Sequence, residues 1–593
     1  MEKKQKSHSL EGKLGKVTGY ICKFLKNFLN VKIEKSKISE KEKAMTSDNN
    51  KPPLDLNQEN LKKGLLQYNY FPFTHDQKEE MPPIFNSESL TIEIANKIKN
   101  IGLSVNRKKN GFDVLPFKRT RHPNIPRVLG IPHPKAYVDL VHTIIENWED
   151  HLQCACQSES SNLKFEVQPD FRIIVHKYNS IAIDAGEESK DPSLDFGSSY
   201  RIKTDITNFY HSIYSHSLPW ALVGHSEAKK KRSGEDWFNN IDKCARMSQR
   251  NETKGITIGP ATSSILSEIV LFPVDKALRE KGYKFSRYID DYTAFTESKS
   301  LADEFLIDLA KELEKYALSL NPKKTTITQM PIQNTEKWVI EMNQVLALAN
   351  PKFYDEKNEN DSSLKYRQIR LIIDKAISIG SDYPDGSAIK YAFASIIEAG
   401  VSGEDAETHL QDTLLKYSFY YPALVPLIYR WINNSNINFD IHDRIMHIFR
   451  HSLSQGQSDN AVWCIYYLFA CAHGTKETSI LSAACKDEAP MVMLMAYVYA
   501  KKNNLPLKEI ADWSTGKIED LKAGRIEEYD IDRYWLLFYQ LFLDGIIKEA
   551  PYIAQEDNKV FNILKANGVS FVNYEHEDLI NPIQKIFGRL IPF

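Results

Sequence analysis

A chain of 593 residues is too long for a single hydrophobic core, so two or three domains are expected. Lys plus Arg number 76 against 78 Asp plus Glu, a formal net charge of −2, which excludes polycation character as a whole and confines any nucleic-acid site to a local patch. Hydrophobic residues at 42% are ordinary for a globular protein; seven cysteines without zinc-knuckle spacing, no secretory signal and no apolar run near the 18 residues of a membrane span together predict a cytoplasmic chain with reduced thiols and no membrane partner.

Residues 1–60 read as a lysine-rich extension containing one amphipathic patch, "GYICKFLKNFL" (19–29), suited to a surface or to docking on the rest of the chain. Mixed strand and helix signals run from about 110 to about 330, within an expected fingers and palm domain at 61–335. Near 181–199, Gly, Ser, Asp and Pro mark a loop. "YRIKTDITNFYHSIY" (200–214) then alternates, Arg201, Lys203 and Asp205 on one face and Ile202, Thr204 and Ile206 on the other, which places Asp205 at a strand end or at the N-cap of the next helix. The basic insertion "EAKKKRSGE" (227–235) reads either as a solvated loop or as a backbone-tracking one. In "KGITIGPATSSILSEIVLFPVDKAL" (254–278), Pro260 suits a helix start, and Gly255 and Gly259 flank "ITI", where they permit close approach of a backbone.

"FSRYIDDYTAF" (285–295) sets Asp290 beside Asp291 among strand-forming residues. Two like charges about 4 Å apart repel by roughly 4 kcal/mol at an effective dielectric of about 20, so the pair needs compensation. Water at a hairpin tip is one source. A divalent metal is the other, and Asp205 supplies the third carboxylate it would require. Neighbouring strands lie about 4.8 Å apart, so Asp205 and Asp290 are expected to meet across them around two Mg²⁺ ions, with oxygen-only ligation favouring Mg²⁺ over zinc and Mn²⁺ as the substitute. After the hairpin come an amphipathic helix (301–320) and the turn and strand of "LNPKKTTI" (320–327). The order strand, helix, hairpin, helix, strand predicts an α+β, ferredoxin-like palm. A polar stretch at 354–363 lies in an expected linker region, 336–363, and helical periodicity fills 364–593, from "AIKYAFASIIEAGV" to "YWLLFYQLFLDG", as an all-α, HEAT-like stack without a tight repeat.

Asp205, "GITIGP", "YIDD" and "LNPKKT", in that order, resemble motifs A to D of reverse transcriptases, and "PRVLGIPHPKAYVDLV" (126–141) resembles their fingers motif. "DITNFYHSIYSHSLPWALVG" (205–224) is similar to the bacterial abortive-infection, or defence-associated, reverse transcriptases, in which a C-terminal helical domain replaces the usual thumb. By this resemblance Asp205, Asp290, Asp291 and the backbone carbonyl of Ile206 bind metal. Tyr210 would be the steric gate that selects dNTPs, and Arg127 would contact the incoming nucleotide. Lys118, Arg119 and Arg121 supply candidates for the triphosphate, Gly255 lies at the nucleotide, and Lys324 is a candidate general acid for pyrophosphate release. Lys254 replaces the glutamine usual before the motif B glycine.

The implied function is an RNA-directed or template-independent DNA polymerase of bacterial anti-phage defence, homo-oligomeric, making single-stranded DNA primed by a tyrosine that 29 candidates leave open. Templated copying of an associated RNA, an RNA polymerase on the same palm, and a non-catalytic nucleic-acid-binding scaffold are the alternatives.

Overall fold

The computed structural model describes residues 53–72, 81–121, 124–176, 195–232, 235–333, 335–349, 363–434, 441–471 and 476–574. The amphipathic patch at 19–29 and the polar stretch at 354–362 lie outside them.

An antiparallel hairpin, β1 (Val114–Arg119) with β2 (Arg127–Pro132), buries Leu115, Phe117, Leu129 and Ile131. The helix Pro134–Glu146 follows, opened by a proline in its first turn, where the missing N–H costs nothing. Two short strands, β3 (Leu163–Phe165) and β4 (Ile174–His176), pair next. The palm comprises β5 (Tyr200–Asp205), β6 (Lys284–Tyr288), β7 (Asp291–Thr296) and β8 (Thr326–Gln329) in the antiparallel order β6-β7-β5-β8. The helix Ala261–Glu280 connects β5 to β6, and the helix Lys299–Glu314, capped by the Ser298 hydroxyl, connects β7 to β8. This is the expected ferredoxin-like arrangement. Ile202 and Thr204 of β5 turn inward as the alternation requires, and Asp205, on the charged face, is also buried.

Fingers and palm meet at two glycines. The Gly130 N–H donates to the Ile258 carbonyl (2.7 Å), and a Cβ at Gly259 would stand 2.9 Å from the Gly130 oxygen. Gly259 therefore admits the fingers strand.

Beyond the palm the described residues are helical, as expected. The region expected as a linker, 336–363, is a helix over Lys337–Ala349, with Trp338, Val339, Met342 and Leu346 buried against the helices that follow. Its "KWVIEMNQVLALA" carries the same periodicity as those helices and so packs with them. Pro490–Lys502 and Trp535–Leu543 are apolar on every side and correspondingly enclosed.

The helical half folds back on the fingers. Trp535 donates its indole N–H to the Ile131 carbonyl (3.1 Å), and the buried Arg107 guanidinium reaches Asp532 (2.6 Å) and Asp557 (3.0 Å). One continuous apolar core results. Among the described residues no helix is long and apolar enough to cross a membrane, and Cys154, Cys156, Cys244, Cys464 and Cys485 are free thiols.

Candidate active site

β5 delivers Asp205 to the sheet end, where its carbonyl accepts from the Asn321 N–H (2.9 Å) and the next residue, Ile206, donates to the Asp290 carbonyl (3.3 Å). The ladder sets Asp205 directly opposite Asp291. Directly opposed residues of an antiparallel pair share a face, with Cα atoms about 4.5–5.5 Å apart. The sequence reading pairs Asp205 with Asp290; in the structure Asp291 takes that position and Asp290 occupies the turn beside it.

The three carboxylates act on one another. Burial, then the charges of Asp291 and Asp205, push the Asp290 carboxyl up to about 6. Burial also raises Asp291, with Asp205 adding to it and Lys324 opposing. Asp205 Oδ2 accepts from the Lys324 ammonium, while its buried Oδ1 has no hydrogen-bond partner. That hydrogen bond, ahead of the carboxylate charges, raises the lysine and keeps it protonated. In this state Lys324 is the counter-ion of Asp205.

Among the described residues no group of three or more His, Cys, Asp or Glu side chains is disposed to close on a metal ion as it stands. The donor chemistry nevertheless fits a hard divalent cation: an oxygen-only set, an orphaned buried Oδ1, and carboxyls raised by burial and then by one another's charge. Asp205 with Asp290 and Asp291 would hold it once Lys324 releases Oδ2.

The turn Tyr288–Asp291 depends on residues that sequence reasoning passed over. Ile289 adopts a left-handed φ of 55°, unusual for a β-branched side chain and worth of order 1–3 kcal/mol of strain. The Arg287 guanidinium donates to the Ile289 carbonyl (2.8 Å), grips both oxygens of Glu268 (2.8 Å each) and reaches Asp275 (2.7 Å). Tyr292 donates to the same Asp275 (3.0 Å). Arg287, Glu268 and Asp275 are all fully buried, so this cluster anchors the hairpin to the helix Ala261–Glu280. The available signal was two acids seven residues apart, Glu268 and Asp275, on either side of the apolar run "IVLFPV", and an arginine two residues before "IDD".

Tyr210 is buried beneath that helix, within hydrogen-bonding reach of Ser264 and Ser267, and its ring environment includes the Arg127 charge. The structure thus brings Tyr210 and Arg127 near one another. Gly255 has a φ of 93° and donates to the Ile213 carbonyl (2.7 Å). Gln249, five residues before Lys254, donates its amide to the Gly255 carbonyl, so a glutamine does reach this loop. The cations before β2 face elsewhere: Lys118 is exposed and its charge acts on Asp487, while Arg119 and Arg121 border a cavity of about 950 Å³ shared with Lys390, Tyr420 and Arg430 of the helical half.

Residues 164–357 match the family described as reverse transcriptase (RNA-dependent DNA polymerase). The chain carries a reverse transcriptase domain. That match supports polymerase activity of the RNA-directed DNA polymerase kind, and Asp205, Asp290, Asp291 and Lys324 all fall inside the matched span. The fingers hairpin and most of the helical half fall outside it. No curated protein matches the chain. Among solved structures it is similar to a telomerase of Candida albicans in complex with a telomeric RNA fragment (12% identity, 63% of this chain and 68% of that chain, TM-score 0.23). It is also similar to apo telomerase of Candida tropicalis (14% identity, 72% and 75%, TM-score 0.25). At such scores the overall likeness is slight.

Proposed function

We propose that this reverse transcriptase domain builds single-stranded DNA from dNTPs without a template, starting from a tyrosine of its own chain, in bacterial anti-phage defence by abortive infection. The observation that carries the polymerase chemistry is the cross-strand pair Asp205 and Asp291 with Asp290 at the turn, a concentration of negative charge that the fold leaves short of compensation. The defence role, homo-oligomeric assembly, cytoplasmic location and HEAT-like character of the helical half are supported by the resemblance of 205–224 and by the pairing of a palm with an all-α second half.

A sugar or tyrosyl hydroxyl attacks the α-phosphorus of a dNTP, and the bond to pyrophosphate breaks. Tyr210 fills the space a ribose 2′-hydroxyl would need. Arg127, beside it, is placed for the incoming nucleotide, and Lys324, protonated and exposed, hands its proton to the leaving pyrophosphate after parting from Asp205. Two Mg²⁺ ions, or Mn²⁺, bound at the aspartates would supply neutralisation of charge on the transferred phosphoryl group. The 950 Å³ cavity, with cationic and aromatic residues on its walls, suits a single-stranded product.

Purified full-length protein given each nucleotide set, with the product sequenced before and after protease treatment, tests this reading. DNA of random or homopolymeric sequence retained on peptide is expected. A product matching a cellular RNA would mean templated copying, preference for rNTPs would make the enzyme an RNA polymerase, and no incorporation of either would leave a nucleic-acid-binding scaffold.

A further inference from the structure

The basic insertion is unused by the chemistry above, and in the structure it builds a site. Its first part forms the helix His225–Lys230, which turns back at Lys231 toward the helix Trp237–Met247. Between them and the segment after Tyr210 lies a cavity of about 310 Å³, at the small end of ligand-binding pockets. Lys229, Arg232 and Lys243 border it, all exposed, and among the described residues none of the three makes an ion pair within 4 Å or a hydrogen bond.

Of the other charges at the cavity, Glu235 is exposed and the rest are engaged. Asp242 accepts from His216 Nδ1 (2.9 Å) and from Arg246 Nε (3.2 Å). Burial opposes its ionisation, yet these partners hold its carboxyl below the usual carboxylate range. Arg246 also binds Asn251. The open wall thus carries three cations against the single carboxylate of Glu235. The opposite wall is aromatic: Tyr214 and Trp220, half-buried, with ring centroids 5.6 Å apart.

The geometry points to a site for a single-stranded polynucleotide, its phosphodiesters on Lys229, Arg232 and Lys243 and a base against Tyr214 and Trp220. Cations clear of close ion pairs beside aromatic rings are the combination by which proteins hold single strands without reading sequence. The site adjoins the polymerase centre, because Tyr214 pairs with Lys254 in an isolated bridge and the Ser215 N–H donates to the Thr253 carbonyl (2.8 Å), two residues before Gly255. The proposed function bears only on which strand this is, since binding requires no turnover.

Binding of a fluorescent 12-nucleotide oligo(dT) to the full-length protein, measured from 50 to 200 mM salt, tests the site. In the triple variant Lys229→Gln, Arg232→Gln, Lys243→Gln the plot of log affinity against log salt should flatten by about two, at roughly 0.7 per lost contact, so that affinity falls roughly twentyfold less across that range. Trp220→Ala should weaken binding roughly tenfold while Trp220→Phe restores it, and addition of a single dNTP by the triple variant should equal that of the unmodified protein. An unchanged salt slope overturns the proposal. So does equal affinity for duplex and single strand with no effect of Trp220→Ala, which would leave a non-specific cationic surface, and so does displacement of the oligonucleotide by equimolar dNTP, which would assign the cavity to a mononucleotide. A protein that incorporates nothing would overturn the proposed function and leave this binding result standing.

Discussion

Two clusters of acids lie a few residues apart in the palm and are treated in opposite ways. Around Arg287, every guanidinium N–H finds an acceptor, two carboxylates share one cation, and Tyr292 and Ser158 hydroxyls take up the surplus at Asp275. Around Asp205, three carboxylates share one hydrogen-bonded lysine whose side chain is 66% exposed, with the charge of Lys203 added at Asp291, and a buried oxygen is left without a partner. A buried charge cluster that is fully paired fixes geometry, and breaking it is expensive. One left incomplete keeps its field for something that arrives from outside. The first holds the strained turn at Ile289; the second presents what that turn positions.

The contrast can be broken most severely at its open member. Asp290→Asn should lower dNTP incorporation by about a thousandfold or more, since several kcal/mol of charge stabilisation depends on the site. Its thermal unfolding midpoint should stay unchanged or rise at neutral pH, because a like charge is removed; a fall would mean that Asp290 is a structural acid. At the closed member, Arg287→Met should cost about 3–5 kcal/mol in urea unfolding by stranding two buried carboxylates. Adding Glu268→Leu and Asp275→Leu should recover most of that stability but not the incorporation, because the Ile289 carbonyl still lacks its donor. The smallest effect concerns pH. Asp290 holds its proton more tightly folded, with its pKa at about 6, than unfolded, at about 3.9. Its contribution to stability in metal-free buffer is therefore fully present below about pH 4 and is lost as pH rises through 6. Unfolding midpoints measured from pH 4 to 7 should show this decline, and the Asp290→Asn variant should show less of it.

The open cluster was legible in the sequence because function sets it against local expectation: adjacent aspartates in a strand-forming run, and another at the end of an alternating one. The closed cluster was not, although Arg287 stands inside the same run, because its partners Glu268 and Asp275 belong to a helix whose apolar stripe dominates the pattern. The register was hidden for a related reason. Nothing in "YIDD" tells which aspartate faces Asp205; the left-handed residue at Ile289 decides it. The strand, helix and hairpin order of the palm was readable throughout. The helix Lys337–Ala349 was obscured by the polar stretch after it, and Lys118 and Arg119 could not be assigned a direction while the fold-back of the helical half was unseen.

That fold-back also governs when the molecule can be finished. Arg107 is paired with Asp557 across 450 positions of sequence. On a ribosome adding about 5–20 residues per second, the arginine waits on the order of a minute before its last partner emerges. The fingers thus remain unsealed through most of synthesis, and a nascent chain stopped before residue 557 would retain its palm aspartates beside a fingers layer lacking part of its support.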